Sequence, residues 1–247
     1  MICYRSLCAE LFSYADEGYR AFHKKLLKNE SIVVIGVRAP VLRALAKKYR
    51  EETDSLMTFP DEYYEVTFLK CAVACHLPYD ELSERIDALV ALIDNWATCD
   101  GFAPGCITSH RREFLQKIDE YLSDDRVFVR RFALTTLLHF YVDAEFLSEV
   151  VARLRRVNCE EYYVSMAAAW LTAEVVIRDY ERGVAFLKEG ALDPLTHNRA
   201  LQKARESYRL SAEQKQLLKG LKRSVTCSCD FLHRNFKKDI DKDHEIE

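Results

Sequence analysis

Hydrophobic and polar residues follow a helical period along most of this chain. Apolar residues recur at steps of three and four positions, which places them on one face of an α-helix. The pattern predicts a helix that begins near Pro40 and another that Asp61 caps. It also predicts helices over residues 4–27, 81–96, 111–122, 127–141, 144–157, 162–177, 181–187, 194–208 and 212–221.

One segment departs from this pattern. Residues 31–37 have the sequence SIVVIGV, whose β-branched residues are typical of a strand. No second segment offers an obvious partner, and a single strand is not stable alone. We therefore expect this segment to be a buried connector.

The helical segments recur with a regular spacing. Several share a polar or acidic lead-in followed by an apolar helix rich in small residues. Val129 and Val164 lie 35 positions apart, and Met166 and Arg199 lie 33 apart. A period of this length built from helix pairs is the signature of an α-solenoid, whose stacked repeats curve and present a concave surface. The sequence therefore predicts an all-α solenoid.

Composition excludes several other classes of protein. The 7 glycines and 5 prolines form roughly 5% of the 247 residues, against an average of about 12%. Because glycine and proline form most tight turns, this low content argues against an all-β fold and against a glycine-rich nucleotide-binding fold. No apolar run is long enough to span a membrane, and no signal peptide is evident. We expect a cytoplasmic monomer with one domain over residues 1–223 and a charged, disordered tail over 224–247.

The overall charge hides a segmental distribution. The chain has 36 Lys and Arg against 39 Asp and Glu, a net charge of −3. Residues 1–50 carry a net +6, residues 51–125 a net −12 and residues 126–223 a net +5. Two basic segments therefore flank an acidic one, which allows a basic face for a polyanion.

Two tryptophans are the candidate functional aromatics. Trp96 precedes Asp100 by four positions, so both side chains lie on one face if a helix runs through them. Trp170 follows three alanines, which either let helices pack closely or leave space beside the indole ring. Both tryptophans could equally belong to the core, since large aromatics dominate core energetics.

Five segments together resemble a known family. Residues 36–49, 92–102, 129–141, 162–176 and 192–211 are similar in order and spacing to the AlkD-like DNA alkylation repair glycosylases, which are built from HEAT-like repeats. The resemblance covers about residues 1–223. It implies a curved stack of HEAT-like repeats with a basic concave face that binds duplex DNA containing alkylated bases. It also implies excision of cationic N3- and N7-alkylpurines without a metal or a nucleotide cofactor.

The resemblance assigns roles to particular residues. Trp96, Asp100 and Trp170 correspond to the catalytic positions, and Arg131, beside Arg130, corresponds to a contact with the DNA backbone. This chemistry suits the residue types, because departure of a cationic base leaves an electron-poor sugar that a carboxylate stabilises. Indole faces can hold a cationic base by cation–π contacts. Further candidates for phosphate contacts are Arg38, Arg43, Lys47, Arg199 and Lys203.

One position departs from the family pattern. Three residues after the second tryptophan, active relatives can have an arginine directed at the DNA, and this chain has Ala173. The departure keeps a second hypothesis open, in which the chain is a non-catalytic or altered-substrate paralogue that binds DNA structures or a protein partner.

The cysteines suggest no separate chemistry. Cys71, Cys75 and His76 have a spacing that metal ligands can use, but they lie in an apolar helix, so we expect buried thiols and no metal site. Cys99 lacks a histidine nearby in sequence that could activate it as a nucleophile. In the tail, Cys227, Cys229 and His233 form an incomplete ligand set for zinc.

Overall fold

The computed structural model describes residues 2–225, and the regular structure within this range is helical. Two short 3₁₀ segments, Arg50–Glu52 and Gly105–Ser109, accompany the α-helices. The α-helices are α1 (Tyr4–Ser13), α2 (Glu17–Leu27), α3 (Ala39–Lys48), α4 (Thr53–Met57), α5 (Tyr64–Ala74), α6 (Tyr79–Ala91), α7 (Trp96–Gly101), α8 (Arg111–Leu122), α9 (Val127–Phe140), α10 (Leu147–Leu154), α11 (Tyr162–Arg178), α12 (Tyr180–Glu189), α13 (Pro194–Glu206) and α14 (Ala212–Gly220).

Contacts between helices define two layers. Helices α3, α5, α7, α9, α11 and α13 each pack against the next one in this series, and we call them the α3–α13 layer. Helices α6, α8, α10, α12 and α14 each pack on one or two helices of that layer, and we call them the α6–α14 layer. Helix α6 packs on α5 and α9, α8 on α9, α10 and α12 on α11, and α14 on α13. This alternation confirms the predicted all-α array of stacked helix pairs.

Local capping sets two helix boundaries that periodicity alone placed wrongly. The segment 4–27 is two helices, because the Asp16 carboxylate accepts the backbone N–H of Tyr19 and starts α2 there. The segment 81–96 also breaks. The Asn95 side chain accepts the backbone N–H of Thr98, so Trp96 is the first residue of α7 and not the last residue of α6.

The predicted buried connector is confirmed, and its anchor is a buried carboxylate. Glu65 has no solvent exposure and accepts the backbone N–H groups of Ile35, Gly36 and Val37 at 2.9, 2.8 and 3.2 Å. Gly36 has a φ of +102°, and a Cβ atom there would lie 2.6 Å from the backbone oxygen of Asp16. Only glycine fits this conformation and this close approach.

The prediction that Asp61 caps a helix is wrong. Helix α5 begins at Tyr64, and no side chain caps its first turn. Asp61 instead pairs with the buried ammonium group of Lys70 at 2.9 Å and accepts the hydroxyl of Thr67 at 3.0 Å. The need to pair a buried charge decides the position of this carboxylate.

The hydrophobic core is divided along the array. An N-terminal cluster joins α1–α3 to α5, the largest cluster extends from α5 to α12, and a third joins α11 to α12, α13 and α14. Small residues bring α11 close to its neighbours, since Ala167, Ala168 and Ala169 are all buried. Each helix pair therefore buries its apolar face against the pairs beside it, as in other repeat proteins.

The predicted domain limits stay a prediction. The expected tail, with Cys227, Cys229 and His233, lies almost entirely outside the described residues. Within residues 2–225, no helix is both long enough and apolar enough to cross a membrane.

Candidate active site

Successive helices of the α3–α13 layer have a row of equivalent positions, three of which hold site candidates. The fifth residues of α3, α5, α7, α9 and α11 are Arg43, Phe68, Asp100, Arg131 and Met166. Two contacts link helices at or next to this row. Asp100 binds Arg131, and a Cβ atom added to Gly101 would lie 3.4 Å from the Phe68 ring. The helical repeat therefore brings together Asp100 and Arg131, which are 31 positions apart in the chain.

Asp100 and Arg131 form a bidentate ion pair at the centre of the row. The Nε of Arg131 donates to Oδ1 of Asp100 at 2.8 Å, and its Nη2 donates to Oδ2 at 2.7 Å. The Asp100 side chain is 21% exposed, against 7% for Arg131. Each carboxylate oxygen can accept a second hydrogen bond, so the exposed edge of Asp100 is still available to a ligand.

Arg131 also forms a hydrogen bond with a third helix. Its Nη1 donates to the backbone carbonyl of Tyr163, in the first turn of α11, at 2.7 Å, and its guanidinium lies 5.9 Å from the Tyr163 ring centroid. Burial disfavours its charge, but the Asp100 carboxylate more than offsets this effect and raises the pKa of Arg131 above its ordinary value. Arg131 therefore links α7, α9 and α11 and orients the carboxylate.

Trp96 occupies the first position of α7, one turn before Asp100. Its Nε1 donates to the backbone carbonyl of Leu26 in the last turn of α2 at 3.2 Å. Such C-terminal carbonyls lack a partner within their own helix, so the indole satisfies one of them. Trp96 is partly exposed and held in one orientation, on the same face of α7 as Asp100.

Trp170 lies on the adjoining part of α11. Tyr163, Met166, Trp170 and Glu174 are all partly exposed and recur at helical spacing, whereas the residues between them are buried. Trp170 is thus two turns, about 10 Å of helix rise, beyond the residue that binds Arg131. The structure brings Trp96, Asp100 and Arg131 together and places Trp170 along the same layer.

The departure at Ala173 has a structural counterpart. Ala173 is 1% exposed and packs in the C-terminal core cluster with Leu201 and Ala204 of α13. The exposed stripe of α11 continues instead to Glu174, whose carboxylate pairs with Arg209 at 2.8 Å. The surface beyond Trp170 therefore presents an acidic side chain with its partner.

The basic candidates differ in how far they are already paired. Arg38 binds Asp16 at 2.8 Å, and Arg130 donates to the backbone carbonyl of Asn158 at 3.4 Å. Within residues 2–225, four other candidates form no ion pair with a carboxylate: Arg43, Lys47, Arg199 and Lys203. Arg43 and Lys47 are exposed at the α3 end of the layer, and Arg199 and Lys203 lie at the α13 end.

Arg199 is the more enclosed of these cations. Its Nη1 donates to the Ser165 hydroxyl at 2.7 Å, its guanidinium lies 5.1 Å from the Tyr162 ring centroid, and Ser165 in turn contacts the hydroxyl of Thr196 at 2.6 Å. Burial lowers the pKa of Arg199 below its ordinary value. A partly buried guanidinium without a carboxylate is suited to an incoming anion.

The two layers differ in charge. Helices of the α3–α13 layer contain ten Lys and Arg against four Asp and Glu, whereas those of the α6–α14 layer contain nine against eleven. Of the 17 Asp and Glu in residues 51–125, two, Glu65 and Asp100, lie on helices of the α3–α13 layer, seven lie on α6 and α8, and the others lie outside both layers. The acidic middle of the sequence therefore does not cancel the basic character of the layer that holds Asp100.

The cysteines are poorly suited to nucleophilic catalysis, including Cys99, which precedes Asp100. Cys71 and Cys99 are buried, Cys75 is partly buried, and burial raises the pKa of all three, that of Cys75 to about 12. A thiol with a raised pKa is a poor nucleophile at neutral pH. In the part of the chain that the structure describes, no three His, Cys, Asp or Glu side chains converge as a metal site requires.

Sequence reasoning missed several residues that shape the site. Tyr163 contributes a backbone carbonyl, which no sequence pattern reveals, and Leu26 anchors Trp96 in the same way. Ser165 and Thr196 support Arg199 across two helices. Their spacing of 31 positions, close to the repeat length, was the one available signal.

Comparison with known proteins agrees with this architecture. A solved structure described as a predicted DNA alkylation repair enzyme from Enterococcus faecalis superposes with a TM-score of 0.60 at 17% sequence identity, covering 78% of this chain and 98% of that chain. At that identity the likeness concerns the fold. No curated protein matches the chain by sequence. The family model described as DNA alkylation repair enzyme matches residues 7–210, which is most of the chain. The protein is therefore a member of the DNA alkylation repair enzyme family.

Proposed function

We propose that this protein is a DNA glycosylase that excises cationic N3- and N7-alkylated purines from duplex DNA by hydrolysing the N-glycosidic bond. Membership of the family supports a role in alkylation repair with DNA as the partner. The observation that carries the finer proposal is the Asp100–Arg131 pair, with Trp96 one turn away on the same helix face. Its carboxylate is fixed in orientation and partly exposed.

The arrangement matches the needs of the reaction. Alkylation at N3 or N7 makes the purine cationic and weakens its bond to the deoxyribose. The base departs as a neutral molecule and leaves positive charge on the sugar, which the carboxylate of Asp100 stabilises. Water then adds at the anomeric carbon and loses a proton to Asp100 or to solvent. The lesion carries its own activating charge, so the leaving base needs no acid.

The remaining site residues bind and orient the substrate. Trp96 and Trp170 present indole faces to the cationic base and its sugar. Arg43, Lys47, Arg199 and Lys203 are cations of the same layer without carboxylate partners in residues 2–225, and they contact phosphates on both sides of the lesion. Arg131, whose guanidinium donates to Asp100 and Tyr163, acts mainly by positioning Asp100.

A specific observation favours a second candidate function. The surface next to Trp170 carries Glu174 paired with Arg209, and Ala173 is buried where active relatives can have an arginine. A paralogue with an altered substrate, or one that binds DNA structure without catalysis, would have this feature.

The expected monomeric state and cytoplasmic location stay predictions.

Release of free bases from methylated DNA tests the proposal. Duplex DNA treated with a methylating agent is incubated with the protein, and released 7-methylguanine and 3-methyladenine are quantified by mass spectrometry. We expect release above the buffer control and its loss in Asp100→Asn. Absence of release with intact DNA binding would contradict the glycosylase and favour the second candidate.

A further inference from the structure

A cluster of lysines at the end of α2 lies outside the site described above. Lys24, Lys25 and Lys28 fall within five residues, all are exposed, and none forms an ion pair among residues 2–225. They line an open cleft of about 390 Å³ together with Ala21, Asn29 and Glu30. Glu30 is the acidic residue of the cleft wall, so the cleft is strongly basic.

This cleft is joined to the candidate active site by a specific contact. The carbonyl of Leu26, between the lysines, accepts the Nε1–H of Trp96 at 3.2 Å, and Asn29 donates to the backbone carbonyl of Asp94 at 3.5 Å. The last turn of α2 is thus docked on the segment that starts α7. A shift of α2 would move the indole beside Asp100.

The side chains near the lysines are unusually apolar for a surface. Phe22 is 58% exposed and Leu26 is 41% exposed, and the two are one helical turn apart. The negative end of the α2 dipole attracts cations, but it is equivalent to only about half an elementary charge. Three unpaired lysines flanking two exposed apolar residues exceed what that charge requires and suit a ligand with anionic and apolar parts.

We infer that the C-terminal half of α2 is a DNA-binding surface, on which Lys24, Lys25 and Lys28 hold phosphates of the strand that passes the active site. The inference rests on the proposed function. Trp96 is about 6 Å of helix rise from Asp100. Phosphates recur about every 3.4 Å of duplex axis along a strand, so the strand at Asp100 reaches the end of α2 within a few nucleotides. The exposed Phe22 and Leu26 contact its deoxyribose groups.

The salt dependence of DNA binding tests this surface. The variant Lys24→Gln/Lys25→Gln removes two charges from the last turn of α2. Its matched control is Lys188→Gln/Lys219→Gln, which removes two unpaired lysines from the last turns of α12 and α14 in the α6–α14 layer. Both variants lower the net charge by the same amount and remove lysines from last helical turns. Circular dichroism verifies that each folds.

Affinity for an undamaged fluorescent duplex is measured by anisotropy from 50 to 200 mM NaCl. Each lost phosphate contact reduces the slope of log affinity against log salt by about 0.9, so the affinity of the α2 variant should fall about 12-fold less over this range than that of the wild type. The control should keep the wild-type slope. Equal slopes for both variants, or a wild type that does not bind duplex DNA, would overturn the inference. A slope change in the α2 variant alone, with no base release by the wild type, would support this surface while contradicting the glycosylase.

Discussion

Arg131 holds both carboxylate oxygens of Asp100 from the adjacent helix and is itself held by a carbonyl of the next helix. A carboxylate positioned in this way keeps its direction when substrate binds, so little reorganisation accompanies catalysis. The pair also joins three helices of one layer, so a change at either residue should affect both chemistry and stability.

Asp100→Asn should reduce release of 7-methylguanine about 100-fold or more. The amide cannot neutralise positive charge on the sugar, and it leaves Arg131 buried without its anion. The matched control is Asp124→Asn, which breaks the more exposed Asp124–Arg126 pair and should leave base release unchanged. Single-turnover kinetics on methylated duplex DNA compare the rates of base release by the two variants. Equal rates would show that Asp100 has no role in the reaction.

Arg131 and Arg199 should differ in what they contribute to DNA binding. Arg131→Gln loses the bidentate ion pair with Asp100, so base release should fall at least about tenfold. The salt slope of binding should change little, because this guanidinium is already paired with a carboxylate. Arg199→Gln should reduce that slope by about 0.9, because this guanidinium has no carboxylate partner in residues 2–225. A reduced slope for Arg131→Gln and an unchanged slope for Arg199→Gln would reverse these assignments.

Glu65→Ala should destabilise the fold by at least about 3 kcal/mol, since it leaves three buried backbone N–H groups without their acceptor. Glu65→Gln keeps one oxygen and should cost less. Urea unfolding measures both. A stability loss for Glu65→Ala below that for Glu65→Gln would show that the connector is not anchored by this carboxylate.

Mild acid should weaken the fold through His23. Burial lowers the pKa of this ring below its ordinary value of 6.5, and its Nε2 has no hydrogen-bond partner. The neutral ring is therefore the form that the folded state favours. The neutral His23 ring makes its full contribution to the free energy of unfolding above pH 6.5. That contribution is lost as the pH falls from 6.5 towards the pKa of His23 in the folded state.

His23→Phe keeps the contacts with Tyr19 and Tyr64 but cannot take up a proton. Its melting temperature should decrease less between pH 7.5 and pH 5.5 than that of the wild type. His139→Phe changes an exposed histidine and serves as the control, with a wild-type decrease. If all three proteins lose the same stability, His23 does not contribute to the acid sensitivity.

Much of the fold could be predicted from the sequence, because a helix is stabilised by residues three and four positions apart. The helix over residues 111–122 has the predicted limits, and those that begin at Val127, Tyr162, Pro194 and Ala212 start at the predicted residues. The repeat of 33 to 35 residues similarly predicted the stacking of helix pairs. Periodicity failed where one polar side chain intervened, as Asn95 does at the start of α7.

The candidate site required the tertiary structure. Its residue types were evident in the sequence, and the family resemblance gave them roles. The pairing of Asp100 with Arg131 and the anchoring of Trp96 by Leu26 are contacts between distant segments. Such contacts arise because a charged or polar group that is buried must have a hydrogen-bond or ion-pair partner. The partner can lie on any helix that packs nearby, so these contacts produce no periodic pattern in the sequence.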